Sequence, residues 1–284
     1  MKRVIITGGN SGIGYQAAKQ LAEKGWSVTL FCRRKEAAEQ ACEEIRQQTG
    51  NRHVDYILVD LSDMKSVRKA VEQYIQKEGV LDVLINNAAD FDLSVKKPIL
   101  TKDGLEKQFA TNVAAPFLLS ILLKGLLERS ESGRIINISS QGLMLYPFMQ
   151  LDFENLSGQK RYSPAKTYYQ NKLALLMLSL YTREHWKGIK IQAIRVTNVR
   201  VDMRRYNHLN TFMKNLYKIK SRFSISPEEM AKVYTALSTE DCYKGFLYDE
   251  KCREVKANAP AYEEEEQEKL YFLLEQLIFS RDNS

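Results

Sequence analysis

A glycine-rich turn follows the first apolar run of this chain and constrains what the rest can fold into. Val4-Ile5-Ile6 leads into Thr7-Gly8-Gly9-Asn10-Ser11-Gly12-Ile13-Gly14, and a helical pattern then runs over 13–24 to a stop at Gly25. Strand, glycine turn and helix in that order make the opening of a βα unit. Glycine permits the tight turn and lets a ligand approach the backbone closely. The first N–H groups of such a helix face outward and favour anions. Thr7, Gly8, Asn10, Ser11, Gly12, Ile13 and Gly14 therefore read as a seat for a dinucleotide pyrophosphate, with a purely structural turn as the alternative.

The same alternation continues downstream. Strand-like runs at 27–31, 54–59, 81–85, 134–138 and 189–196 are separated by helical patterns at 35–48, 63–77, 104–127 and 165–186. Segment 81–85 is almost continuously apolar, as expected of a strand covered on both faces. This order predicts an α/β fold: one Rossmann-type domain over 1–284, with a doubly wound parallel sheet and helices on both faces. Two stretches break the rhythm. Residues 143–164 read as an insertion, and 200–225 as a substrate lid. After Pro227 come a helix, a strand near 246–248 and a last helix from about residue 262, with acids 263–266 in its first turn.

Composition removes several classes of function. With 44% apolar residues the chain can bury a core. Cys32, Cys42, Cys242 and Cys252 have no CxxC spacing, and His53, His185 and His208 no helix pairing, so neither a disulfide framework nor a metal site is expected. The net charge of +7 suits an anionic ligand, but no nucleic-acid motif accompanies it. The first strand begins at once, and the apolar stretch 116–127, broken by Lys124, reads as too short to span a bilayer. A soluble cytoplasmic protein is the expectation.

A second constellation lies far downstream. Tyr168 and Lys172 are four residues apart in a helical pattern, hence on one face. A free phenol ionises near pH 10, too high for easy two-way proton exchange at neutral pH. A nearby ammonium favours the phenolate. Beside a dinucleotide, such a pair suits hydride transfer between a carbonyl and an alcohol. The end of the second strand reads Phe31-Cys32-Arg33-Arg34-Lys35, with no acid to bind ribose hydroxyls. Arg33 and Arg34 suit a 2′-phosphate, which favours NADP(H) over NAD(H).

In these motifs the chain resembles the short-chain dehydrogenase/reductase family, most of all its retinol-dehydrogenase-like branch. The likeness rests on the glycine turn, Asp60-Leu61, Asn86-Asn87-Ala88-Ala89, Asn112, Ile138-Ser139-Ser140 and Tyr168 with Lys172. It implies that Tyr168 is the proton donor and acceptor, that Lys172 tunes it and bonds the nicotinamide ribose, and that Ser140 holds the substrate oxygen. It implies that Asn112 anchors a water leading from Lys172 to solvent. It also implies that Asp60 and Leu61 lie by the adenine and Asn87 by the adenine-side ribose, that Ala88 and Ala89 line the cofactor, and that Thr7 braces strand ends. Duller readings stand beside these: Ser140 as a strand-end hydroxyl, Asn112 as a buried amide tie, Asp60 as a cap.

Two departures stand out. Ala89 replaces a glycine, and Val196-Thr197-Asn198-Val199 replaces the family's Pro-Gly turn, leaving only the Val199 backbone to reach the nicotinamide amide.

Apolar residues after Ser140, including Leu143, Met144, Tyr146 and Phe148, together with Met203, Tyr206, Leu209, Phe212 and Met213 on the lid, suit a small hydrophobic carbonyl or alcohol. Residues 200–222 carry seven basic side chains and one acid, and read as a solvated lid rather than a peripheral membrane contact. Leu173, Leu175, Leu176, Met177 and Leu180 lie on the helix that pairs across a two-fold axis in relatives, so a homodimer is expected, with a monomer as the alternative. A non-catalytic NADP(H)-binding sensor or scaffold is the competing function. The four intact residues Asn112, Ser140, Tyr168 and Lys172 argue against it.

Overall fold

The computed structural model describes residues 1–200 and 224–279. Strands β1 (Arg3–Thr7), β2 (Ser27–Cys32), β3 (Val54–Leu58), β4 (Val83–Asn86), β5 (Arg134–Ser140), β6 (Lys190–Val196), β7 (Leu247–Tyr248) and β8 (Glu254–Val255) form one sheet in the order β3-β2-β1-β4-β5-β6-β7-β8. All neighbours pair in parallel except β7 with β8. Val4, Ile5 and Ile6 sit in register with Val83, Leu84 and Ile85, and are buried on both faces. The strand order reverses between β1 and β4, which opens a crevice at their C-terminal ends.

Helices α1 (Gly12–Glu23) and α2 (Lys35–Thr49) cover one face with α6 (Pro227–Thr239). The other face carries α3 (Met64–Lys77), α4 (Lys107–Glu128), α5 (Pro164–His185) and α7 (Glu264–Phe279). Helix α6 starts at a reciprocal capping box between Ser226 and Glu229, which satisfies two of its open N–H groups. The insertion is irregular, with two short 3-10 turns at Gln141–Leu145 and Phe153–Asn155.

Two expectations are corrected. Helix α4 begins at Lys107 rather than 104 and includes a π-turn at Ala110–Ala114. At 22 residues it is long and apolar enough to cross a membrane, unlike the 116–127 stretch taken alone. Its most apolar window is 72% buried within the chain, as befits a core helix. The apolar residues expected to meet a second copy are already used: Leu173, Leu175, Leu176 and Met177 are buried, and α7 packs across the same helix. Tyr271 of α7 meets Phe117 of α4 edge-on at 5.2 Å and Tyr181 of α5 at 4.6 Å.

Candidate active site

The glycine turn is fitted to its own protein on one side and open on the other. A Cβ on Gly14 would meet the Asn87 Nδ2 at 2.5 Å and the Gly8 carbonyl oxygen at 2.8 Å, so α1 can approach the end of β4 only without a side chain there. Gly12 is the opposite case. Its φ of +60° disfavours other residues, yet a Cβ there would meet nothing within 4 Å. The Ser11 side chain makes no capping bond to the first turn of α1. The turn therefore presents open backbone donors beside free space, which fits a dinucleotide phosphate.

Thr7 and Asn87 hold this cradle in shape. The Thr7 Oγ1 accepts from the N–H groups of Asn87 and Ala88, both at 2.9 Å, and donates to the Ile85 carbonyl at 3.4 Å. The Asn87 Nδ2 donates to the Thr7 carbonyl at 2.9 Å. Its Oδ1 accepts from the Tyr234 hydroxyl at 3.2 Å. Tyr234 lies on α6 and is fully buried. Burial, and secondly the nearby Tyr168, hold its phenol above the ordinary range. No local motif marks Tyr234, which meets Asn87 only through the fold. Ala89 is exposed at the crevice, and among the described non-glycine residues only Cys252 has positive φ, so its methyl group strains no backbone.

Arg33 and Arg34 are exposed at the end of β2. Lys35 pairs with Glu39 at 3.7 Å. The Asp60 carboxylate accepts from the N–H and Oγ of Ser62. Burial would raise its pKa, but these bonds and the Arg33 guanidinium outweigh burial and hold it below the usual value. Capping of α3 falls to Asp63, which accepts from Ser66 N–H. Leu61 is buried beside them. Cys32 packs against the backbone of Gly9 and Asn10, and burial pushes its thiol up to about 11. It is a packing residue and not a thiolate at neutral pH.

The phenol and amine meet as their spacing predicts. Lys172 is 2% exposed and its Nζ lies 5.5 Å from the centroid of the Tyr168 ring. The Nζ donates to the Ile138 carbonyl at 2.7 Å, which anchors the amine to the end of β5. Burial lowers its pKa to about 8. Tyr168 is half-buried, with Tyr169 edge-on at 5.3 Å and Phe91 tilted against it at 4.3 Å. The Ser140 Oγ accepts from the Gly142 N–H at 3.2 Å, so its own O–H remains a donor.

Asn112 uses its side chain as a tie between helix and loop. It is buried on the π-turn, and its amide is spent on Asp90: Oδ1 accepts from the Asp90 N–H at 2.7 Å, and Nδ2 donates to the Asp90 carbonyl at 2.9 Å. The side chain ties α4 to the loop after β4.

The Val199 segment pairs with Ile225 through the Arg200 N–H and the Asn198 carbonyl. Alternation along the backbone turns the peptide groups of Val199 to the opposite side. The lid assigned to 200–225, with Met203, Tyr206, Leu209, Phe212 and Met213, lies outside the described residues apart from Arg200, Ser224 and Ile225.

A profile described as short chain dehydrogenase matches residues 2–211. The chain belongs to the short-chain dehydrogenase family. Human retinol dehydrogenase 13 is 35% identical over 277 residues, covering 94% of this chain and 80% of that protein. Mouse retinol dehydrogenase 14 is 32% identical, covering 98% and 86%. These relatives place the chain in the retinol-dehydrogenase-like branch, as an oxidoreductase.

Among solved structures, an uncharacterised protein of Mycobacterium paratuberculosis superposes with a TM-score of 0.72 at 27% identity, covering 98% of this chain and 93% of that one. A short-chain dehydrogenase from Sphingobium yanoikuyae, solved with NADPH, has the same fold, with a TM-score of 0.65 at 20% identity over 88% of this chain and 87% of that one.

Proposed function

We propose that this oxidoreductase uses NADP(H) to interconvert a hydrophobic aldehyde or ketone and its alcohol, with Tyr168 as acid and base. The observation that carries the reading is the buried Lys172 amine 5.5 Å from the Tyr168 ring, next to an open glycine cradle.

Thr7, Gly8, Asn10, Ser11, Gly12, Ile13 and Gly14 would hold the dinucleotide phosphates, and Arg33 and Arg34 the 2′-phosphate. Asp60 and Leu61 would flank the adenine, with Asn87, Ala88, Ala89 and the Val199 backbone along the rest of the crevice. The nicotinamide, when bound, supplies or accepts the hydride. In reduction the Tyr168 hydroxyl donates its proton to the carbonyl oxygen, and in oxidation the phenolate takes it back. The Lys172 ammonium stabilises that phenolate through a low-dielectric path. Ser140, already accepting from Gly142, turns its O–H toward the substrate oxygen and offsets the developing charge.

The retinol dehydrogenases among the relatives support a lipophilic alcohol–aldehyde pair, as do the exposed Met144, Leu145 and Phe148 in the segment that follows Ser140. In a reducing, NADPH-rich cytoplasm the reaction would run toward the alcohol. The test is NADPH oxidation against a panel of apolar aldehydes and ketones, with Tyr168→Phe as control. Turnover in the parent and its loss in the variant, with NADPH binding retained in both, is the expected result. Turnover that survives the substitution removes Tyr168 as the acid.

A further inference from the structure

The chain turns sharply as it leaves β5, and the turn is held from near the other end of the sequence. Ser140 caps the 3-10 turn at Gln141–Leu145, its Oγ accepting from the Gly142 N–H at 3.2 Å. The Tyr146 N–H closes the turn on the Leu143 carbonyl at 3.0 Å. The end of so short a turn leaves carbonyl lone pairs open. Asn258 fills them. Its Nδ2 donates to the Leu143 carbonyl at 3.0 Å and to the Tyr146 carbonyl at 2.9 Å. Asn258 stands at the N-cap of its own 3-10 turn, Ala259–Tyr262, where an asparagine side chain ordinarily caps, yet it makes no capping bond there. The amide is spent instead on two carbonyls 115 and 112 positions back. The base beneath it is firm. Ala261 is buried, and the Gln267 amide of α7 donates to its carbonyl at 2.7 Å. The Ala257 N–H donates to the Tyr262 hydroxyl at 3.0 Å. Tyr169 packs closely on the turn that Asn258 holds: a Cβ on Gly142 would overlap its hydroxyl, and the Tyr146 ring lies 5.1 Å from its ring.

Resting on the oxidoreductase reading, in which Ser140 holds the substrate oxygen, we infer that Asn258 is a positioning residue for Ser140. Its amide fixes the carbonyls of the turn, and the fixed turn keeps the Gly142 N–H on the Ser140 Oγ. A hydroxyl that already accepts one bond is oriented, and polarised, to donate the other. Without the Asn258 amide both carbonyls lose a donor, and only the Tyr146 N–H still ties the far end of the turn. The Gly142 N–H then leaves the Ser140 Oγ more often, and the hydroxyl loses its preset direction. The loss falls on the step in which charge develops on the substrate oxygen. It does not fall on the dinucleotide cradle, whose Thr7, Asn87 and Tyr234 bond to one another and to none of these groups.

The test measures kcat with NADPH and octanal for the parent, Asn258→Ala, Ser140→Ala and the double variant. Asn258→Ala is expected to lower kcat about tenfold, the scale of one or two lost hydrogen bonds, with NADPH affinity within about twofold of the parent's. In the Ser140→Ala background the same change should cost less than about twofold, because the group through which Asn258 acts is already gone. Asn258→Asp, equal in shape but without the donor, should behave as Asn258→Ala does. Equal losses in the two backgrounds, no loss in the parent background, or an Asn258→Asp protein that matches the parent overturns the assignment. A second arm needs neither substrate nor cofactor. Amides 141–147 should exchange hydrogen at least about tenfold faster in Asn258→Ala, while those of β1 and β4 keep the parent's rates. Unchanged exchange at 141–147, or faster exchange everywhere, also overturns it. If the parent turns over no member of the aldehyde and ketone panel, the oxidoreductase reading fails separately, and exchange alone decides: selective loosening of 141–147 sustains the hold of Asn258 on the turn, and any other pattern overturns it.

Discussion

The two halves of the crevice are built in different ways. On the dinucleotide side, the side chains that shape the cradle are committed within the protein, and its backbone donors are left open. Thr7 bonds three backbone groups of the β4 segment, Asn87 bonds Thr7 and Tyr234, and Gly14 leaves no space for a methyl group. On the substrate side, the chain is irregular from Gln141 onward, and its large apolar side chains are bare, Phe148 being 86% exposed. The first half is preformed, as the proposed dinucleotide would require. The second presents apolar surface that gains its energy only when something lipophilic covers it. The proposed acid, Tyr168, stands on the boundary, with Lys172 anchored behind it and the aromatic Phe91 against its ring.

Substitutions at the boundary should have the largest effect. Tyr168→Phe should lower kcat/KM by about a thousandfold while leaving NADPH affinity near the parent's, as read by turnover and fluorescence titration. Lys172 adds a dependence on pH. Its pKa in the fold, about 8, lies below the ordinary 10.5, so the unfolded state binds more protons between these values. The cost of burying the cation is present in full below about pH 8 and is relieved as pH rises toward 10.5. Turnover should move the other way, falling above pH 8 as the charge beside Tyr168 is lost. Parallel pH profiles of kcat and of thermal midpoint would check this. If both rise together, the charge is not what drives the chemistry.

The dinucleotide half should break sharply where it is tight and quietly where it is open. Gly14→Ala forces a methyl group onto Asn87 and should cost about 1–3 kcal/mol in a denaturant melt. Gly12→Ala meets no atom and should cost the fold only about 1 kcal/mol through its positive φ, yet weaken NADPH binding about tenfold. Arg33→Ala with Arg34→Ala should reduce the preference for NADPH over NADH about tenfold, with NADH binding unchanged. An unchanged preference would place the 2′-phosphate elsewhere. The smallest effect belongs to the open half. Phe148→Ser should leave stability within about 0.5 kcal/mol and raise KM for a long-chain aldehyde severalfold.

The alternation of strands and helices and the cradle were legible because each rests on local patterning. Buried parallel strands read as apolar runs, helices as 3.6-residue periods, and the turn as glycines between them. Tyr168 and Lys172 were legible for the same reason, since a helix converts a spacing of four into one face. What escaped depends on tertiary contact. Tyr234 reaches Asn87 across 147 positions, and nothing around it signals a polar role. The π-turn at Asn112 breaks no propensity rule, and its buried amide meets Asp90 only through the fold. Strand β8 is two residues long, too short to show alternation. The leucines of α5 read equally well as a core face or a partner face, and only the packing of α7 over them decides which.

The coupling between amine and phenol is tested most directly by a double-mutant cycle on kcat/KM with Tyr168→Phe, Lys172→Met and the pair combined. If Lys172 acts through the Tyr168 hydroxyl, each single change is severe and the double variant is no worse than Tyr168→Phe alone. Losses that multiply would mean that the two residues act independently and would contradict the account.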